Sequence, residues 1–535
     1  MYGISLDIGT SGIRAHAIEL SSGRIVSTAI TGSHPLPGAN IMDHLTFCIR
    51  MGNDLAHDIL MSTVNKVIGK LNINLRNVDK AAVCGNPIQL SIFQNMEIDD
   101  LAYAGEQAWK TRGIIPQKRN ARVIPATDIG MDLPDSAELY VPPAIKHEIG
   151  ADALAMLVKS GFLEQKENCL VTDYGTNAEM ALKVGDEIYT GSAAAGPAME
   201  GQHIKYGMLA SPGAISDLEY EFNWRCKVLD DDLVPKQGDL LDLSLGRTAD
   251  EGEMHGKAKG ITGTGVVAAL SAAMDSSIWR KGKLQPERMM LQDGIYVTEH
   301  DITEAAKAIG AMRAGHFTLI EHAGIKFSDM NIMYMSGATG TYVDAEKARS
   351  VGLVPPSCSR IYQIGNTSLA MATDLLRDPE LLDELQTIAD GIRSNHVMFA
   401  TDKVFEEIYI QELAYWTEGM TMIQYNDNLA AAGIQQLPKI KGTPEIHRIA
   451  ERDIPVLGDN GLTIINDIGL ELTGKFEGCD GCGACVKECP ESALTTDKDG
   501  MHVKTKKCLG TSCYRCQFKC PKKVYNYEKL KLIRP

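Results

Sequence analysis

Long apolar runs are missing from this chain. The longest candidates are short segments such as residues 265–274, well below the roughly 18 consecutive residues that a membrane span needs. A basic leader is missing as well. Met1-Tyr2-Gly3-Ile4-Ser5-Leu6-Asp7 enters a strand-like pattern at once, so no secretory signal is expected and a soluble, cytoplasmic protein with no membrane partner is. Positive charge is in deficit, with 53 Lys and Arg against 69 Asp and Glu and a net charge of −16, which argues against general nucleic-acid binding. Cysteine is sparse over the first 478 residues, where only Cys48, Cys84, Cys169, Cys226 and Cys358 occur. Scattered in this way, without an export signal, they read as small buried hydrophobes rather than a disulfide framework.

What is present is concentrated at the C-terminal end. The other eight of the 13 cysteines fall between 479 and 520, and such crowding reads as metal ligation. Cys479-x2-Cys482-x2-Cys485-x3-Cys489-Pro490 is the bacterial ferredoxin run, in which three close thiolates hold one cubane and the fourth cysteine reaches the neighbouring one. Cys508-x4-Cys513-x2-Cys516-x3-Cys520-Pro521 is a second such run, two residues longer between its first cysteines than the standard spacing. The crossed pattern assigns Cys479, Cys482, Cys485 and Cys520 to one 4Fe-4S cluster and Cys508, Cys513, Cys516 and Cys489 to another. The small residues Gly481, Gly483, Ala484 and Gly510 let backbone amides approach the sulfides. From 500 to 535 there are ten Lys and Arg against the single acid Glu528, so this tail carries +9 and leaves −25 on the rest. It is either a solvated face or a docking surface for an acidic redox partner or for the acidic body itself.

At 535 residues the chain should form two to four structural units. Its body contains an internal repeat. Asp7-Ile8-Gly9-Thr10-Ser11-Gly12 ends one strand and is followed by strands over 13–20 and 25–30. Asp173-Tyr174-Gly175-Thr176-Asn177, 166 residues later, ends another and is followed by strands over 178–184 and 187–192. In such a turn glycine permits the tight hairpin, backbone N–H groups and the Thr hydroxyl face phosphate oxygens, and the Asp can hold Mg2+ through water. One copy is also an ordinary hairpin turn; two in the same three-strand frame point to nucleotide. Asn331 to Gly340 reads as a buried strand running into the glycine-rich turn Ser336-Gly337-Ala338-Thr339-Gly340, then a helix from about Asp344. Gly260 to Gly265 and Gly365 to Thr367 open helices similarly and read as packing features.

These motifs resemble those of the ATP-dependent reductive activases of corrinoid proteins, and within them the methylamine methyltransferase subgroup of methanogens. The resemblance runs from Leu6-Asp7-Ile8-Gly9-Thr10 through Val83-Cys84-Gly85-Asn86, the second hairpin, Gly260-Ile261-Thr262-Gly263-Thr264-Gly265 and Met335 to Gly340, to the double-cluster end. Many members carry an N-terminal 2Fe-2S domain instead; the C-terminal double run favours the methylamine subgroup. The resemblance implies an α/β, two-lobed actin/Hsp70/sugar-kinase-like (ASKHA) ATPase body followed by an α+β bacterial-type double 4Fe-4S ferredoxin module. It implies ATP and Mg2+ as cofactors. Asp7 and Asp173 would be the catalytic carboxylates, Gly9, Thr10, Ser11, Gly175, Thr176 and Asn177 would lie at the phosphates, and Gly337, Ala338 and Gly340 would cradle the adenosine side. The implied task is return of corrinoid cobalt from Co(II) to Co(I) by one electron, with ATP hydrolysis, in methylamine metabolism. A corrinoid protein and a low-potential electron donor are the expected partners. Such clusters lie near roughly −400 mV and Co(II)/Co(I) lies lower, so transfer is uphill. Each ~60 mV is worth about 1.4 kcal/mol, which puts the gap within reach of a nucleotide-driven change of conformation.

Three other readings stay open. A sugar or acid kinase shares the fold but has no use for clusters. An ATP-driven electron injector for a dehydratase-type enzyme keeps every motif and changes the partner. A non-hydrolysing iron-sulfur carrier or scaffold keeps the clusters alone. The expected layout is a first lobe and connecting region over 1–165, a second lobe over 166–441 with a helix at 303–322 linking the two, a linker over 442–478 and the ferredoxin module over 479–535.

Overall fold

The computed structural model describes residues 1–535 except 104, 146–148, 176, 194–196, 202, 393, 499 and 534–535, and the side chains of 106, 197, 200 and 338. The chain divides into two compact units. The first takes residues 1–154, 368–391 and 456–535, and the second takes 155–367 and 392–455. Neither is a continuous stretch, so the units depart from the serial layout expected from the sequence.

The first unit is built on a seven-stranded sheet in the order Leu462–Ile465, Arg24–Thr31, Ile13–Glu19, Tyr2–Ile8, Val78–Gly85, Glu138–Val141, Arg122–Pro125. Tyr2–Ile8 is buried along almost its whole length, as expected of a central strand covered on both faces. It pairs antiparallel with Ile13–Glu19 and parallel with Val78–Gly85. The helix Asn53–Gly69 buries Ile59, Leu60, Val64 and Val67. The helix Thr367–Arg377 brings Thr373 to the sheet, where its hydroxyl meets Ser5 Oγ at 2.9 Å and His16 Nδ1 at 3.4 Å.

The second unit repeats the plan. Its seven strands run Ser394–His396, Glu187–Ala193, Ala178–Val184, Cys169–Tyr174, Ile332–Ser336, Arg360–Gly365, Glu445–Arg448. In both sheets an antiparallel triple opens the unit, parallel strands join its first member, and a late strand adds in parallel to its third. A separate five-stranded sheet over Ala214–Ile261, in mostly antiparallel pairing, packs with the helix Gly263–Asp275. The helix Glu299–His322 begins four residues earlier than the sequence suggests, because Thr298 and Asp301 close a capping box there. It lies wholly within the second unit, packed on Lys403–Thr417, rather than linking the lobes.

The stretch 442–478 is no bare linker. Glu445–Arg448 extends the second sheet, Leu462–Ile465 extends the first, and Glu471–Gly474 sits in the four-stranded sheet of the C-terminal module with Leu494–Asp497, Gly500–Lys504 and Lys531–Leu532. Its polar, Pro- and Gly-punctuated sequence hides strands that are short and lie mostly at sheet edges.

Candidate nucleotide and cluster sites

The first hairpin is closed by Gly9 N–H donating to Gly12 C=O at 3.0 Å. Asp7, at the end of its strand, lies 3.3 Å from Arg14 Nη1, and Ser11 is buried. Ile13 N–H donates to Thr31 Oγ1 at 2.9 Å, and a Cβ on Gly12 would stand 3.0 Å from that oxygen, so a side chain there would push Thr31 aside. Asn86 caps the helix Pro87–Phe93 through Gln89 N–H and turns its amide to Thr10 Oγ1 at 3.3 Å. A residue outside both hairpins joins this group. Asp152, in the first turn of Ala151–Lys159, is pushed up to about 6 by burial and by the neighbouring Asp7 carboxylate. The sequence offered only Gly-Ala-Asp at a helix start as a signal. Burial, then Asp152 and Asp7, also hold the Cys84 thiol well above its ordinary range, so this cysteine stays protonated.

In the second unit Asp173 ends the strand Cys169–Tyr174 and is in register with Ser336 on the adjacent parallel strand. Ser336 Oγ lies 3.5 Å from Asp173 Oδ2 and 3.2 Å from Thr367 Oγ1. Gly337 adopts φ +79, and a Cβ there would fall 2.5 Å from Asp173 Oδ1. Only glycine can lay its backbone on that carboxylate. The expected turn over 336–340 is thus already the first turn of a short helix, Gly337–Tyr342, and the helix expected from Asp344 is Ala345–Val351 with Asp344 as its cap. Gly175 and Asn177 are each bend residues of the hairpin, and Thr176 lies outside the described residues. Ala338 is the second residue of the short helix. Gly340, within it, packs against the Met335 backbone and gives its carbonyl to Gln363 Nε2 at 2.7 Å. Gly263 and Gly265 pack in the same manner against Met199 and Ile215.

The C-terminal module gathers the eight cysteines into two sets of four. Cys479, Cys482, Cys485 and Cys520 line one pocket, and Cys489, Cys508, Cys513 and Cys516 line another. This is the crossed grouping, each set taking its fourth thiol from the other run. Four cysteines lining each pocket are the donor set that a 4Fe-4S cluster takes, so the residues present fit one cluster at each. The polar surroundings differ. Burial alone would raise the Cys520 thiol, but the N–H groups of Tyr525, Val524, Lys522 and Lys523 hold it below its usual range. In the second set burial pushes Cys508 up to about 11, against the Tyr527 hydroxyl at 3.4 Å and Gly510 N–H at 3.3 Å from its sulfur. Ala493 N–H donates to Cys489 Sγ at 3.3 Å. The two buried tyrosines, Tyr525 and Tyr527, were not singled out in the sequence. Their only signal is the pair of aromatics spaced by Asn526 behind Cys520-Pro521. The five remaining cysteines are all buried.

Three family models match the chain: the RACo middle region at residues 2–165, the C-terminal ASKHA domain of RACo at 167–426, and a 4Fe-4S binding domain at 475–495. A Methanosarcina barkeri protein, the [Co(II) methylated amine-specific corrinoid protein] reductase, is 49% identical over 520 residues, 96% of each chain. The corrinoid activation enzyme RamQ of Eubacterium limosum is 24% identical over 455 residues, 78% of this chain and 70% of that one. Among solved structures, a reductive activator for a corrinoid, iron-sulfur protein superposes with a TM-score of 0.64 at 21% identity, over 77% of this chain and 66% of that one; at that identity it bears on the fold. By its matched regions and its near-full-length relative, the chain belongs to the family of corrinoid protein reductive activators, an ASKHA body carrying a 4Fe-4S binding motif.

Proposed function

We propose that this protein returns the cobalt of a methylamine-specific corrinoid protein from Co(II) to Co(I) by one electron, with hydrolysis of ATP. The observation that supports this best is the coexistence of two four-thiol cavities with two carboxylate-bearing hairpins of the ASKHA type. When bound, two 4Fe-4S clusters supply one-electron transfer at low potential. The eight cysteines would hold them, and the backbone N–H groups facing Cys489, Cys508 and Cys520 would offset negative charge at these sulfurs. At the hairpins Asp7 and Asp173 organise Mg2+-ATP, with Gly9, Thr10, Ser11, Gly175, Thr176 and Asn177 at the phosphates and the 337–340 turn at the adenosine side. Asp152, with its carboxyl at about 6, is suited to take a proton from water near neutral pH.

The test is spectroscopic titration of a purified Co(II) corrinoid protein with excess reductant. Co(I) should accumulate only when ATP and Mg2+ are present, and Asp7→Ala or Asp173→Ala should stop both ATP turnover and Co(I) formation with iron content unchanged. Cys485→Ser should remove one cluster and leave nucleotide binding intact. ATP turnover at the wild-type rate in both aspartate variants would show the hairpins to be structural, and Co(I) formation indifferent to ATP would favour a simple carrier.

A further inference from the structure

Four contacts between the body of the first unit and the C-terminal module fall near one thiol. Gly38 N–H donates to the Cys508 carbonyl at 2.9 Å. Gly510, at φ +65, lies so close to Pro37 that a Cβ would meet the Pro37 Cβ at 2.9 Å. Ser512 Oγ donates to Asp43 Oδ1 at 2.6 Å, and Arg50 lies 4.0 Å from Glu528, the residue after Tyr527. Cys508 is thereby tied twice, its carbonyl to the body and its sulfur to Tyr527 and Gly510.

The strap that ends at Gly38 begins at the first hairpin. Thr31 holds Ile13 N–H and crowds Gly12, and seven residues later the chain reaches Cys508. A buried polar chain runs beside it. Thr10 Oγ1 accepts from the Asn86 amide, and Asn86 Oδ1 accepts from Gln89 N–H. Gln89 Nε2 lies 2.7 Å from His44 Nδ1, and the His44 ring stacks on His34 of the strap at 4.3 Å. Burial holds both imidazoles neutral, His34 well below its ordinary value and His44 at about 4. The Gln89 side chain also acts on the His34 ring, and among the described residues His44 Nε2 is left without a hydrogen-bond partner. A buried chain in which one amide serves two rings and one ring nitrogen is unused has a second arrangement open to it, and movement of Thr10 is the natural trigger.

We infer that the strap 31–38 and Cys508 form a relay through which nucleotide at the first hairpin changes the hydrogen bonding at Cys508 Sγ. The reduction potential of the cluster held by Cys489, Cys508, Cys513 and Cys516 shifts as a result, while the other stays where it was. Hydrogen bonds to cluster sulfurs raise the potential, and their loss lowers it. The inference rests on the reading of the hairpins and thiol sets given above, and deepens it by assigning the two clusters different roles.

The full-length protein with both clusters is titrated potentiometrically, with the reduced clusters followed by electron paramagnetic resonance, with and without Mg2+-ATP or a non-hydrolysable analogue. One midpoint should move with nucleotide and the other should not. Tyr527→Phe should displace that same midpoint to more negative potential without nucleotide, which identifies it as the Cys508 cluster. Ser512→Ala, at an exposed position, should keep both clusters and nucleotide affinity but lose the nucleotide-dependent shift. Equal movement of both midpoints, movement of neither while Mg2+-ATP binds, or a wild-type shift in Ser512→Ala overturns the relay and leaves the functional reading standing. Iron for only one cluster, or no nucleotide binding by calorimetry, removes the reading itself and the relay with it.

Discussion

Asp152 shows how a single carboxyl links stability to chemistry. Its folded value of about 6 stands above the 3.8 of the unfolded chain, raised by burial and by Asp7. A raised acid favours the folded state while protonated, so its contribution is whole below 3.8 and is lost as pH rises through 6, at about 1.4 kcal/mol for every tenfold change in proton affinity. Without Mg2+, Asp152→Asn should therefore melt higher than wild type at pH 7, with the difference vanishing toward pH 4, while ATP turnover falls; equal melting at pH 7 would remove the strain argument. Arg313 and Glu412 behave in the opposite way. Burial disfavours the Arg313 charge, but Glu412 at 2.6 and 2.7 Å, with the Tyr425 hydroxyl also on Glu412, keeps its proton affinity above the ordinary value. Glu412→Ala leaves a buried cation unpaired and should cost about 3–5 kcal/mol in denaturant unfolding, most of which Arg313→Met in the same chain should restore.

At the scale of elements, the two antiparallel triples were legible because alternation and turn chemistry are local. Arg24–Thr31 and Glu187–Ala193 fall within a residue of expectation at each end. The thiol runs were legible for the same reason, since spacing alone brings three sulfurs together. Strand pairing across long separations leaves no such mark. Leu462–Ile465 is only four residues, and its place beside Arg24–Thr31 depends on an edge more than 400 residues earlier. Asp152 was hidden because its character comes from Asp7, 145 residues away in the chain. The glycine turn at 337–340 misled in another way: glycine reads as a loop, whereas here Gly337 gives the backbone access to Asp173 and the helix starts at once.

Over the whole molecule, the contrast between a tail of +9 and a remainder of −25 is partly spent within the module. Lys522 pairs with Asp480 at 3.1 Å and Lys519 with Glu488 at 3.4 Å. A charge reversal meant to probe steering should spare Lys522, whose partner sits between Cys479 and Cys482. Lys507→Glu with Lys523→Glu, both exposed, should slow electron delivery to the corrinoid protein at low salt, with the gap closing as the Debye length shrinks from about 10 Å at 0.1 M to about 3 Å at 1 M; a rate equal to wild type at low ionic strength would leave the tail a solvated face. The strand Leu462–Ile465 carries a consequence for protein engineering. It covers the outer edge of Arg24–Thr31 before the chain enters the cluster module, with Thr28 N–H and Gly32 N–H also bonded to Gly461 and Ile465 carbonyls. A chain cut after Pro455 would bare that eight-residue edge, half of it apolar, a template for pairing between molecules. The iron-sulfur end is therefore not a cassette to be swapped at the obvious junction: a graft that retains residues 456–470 keeps the sheet sealed, and one that discards them yields an ASKHA body prone to aggregate.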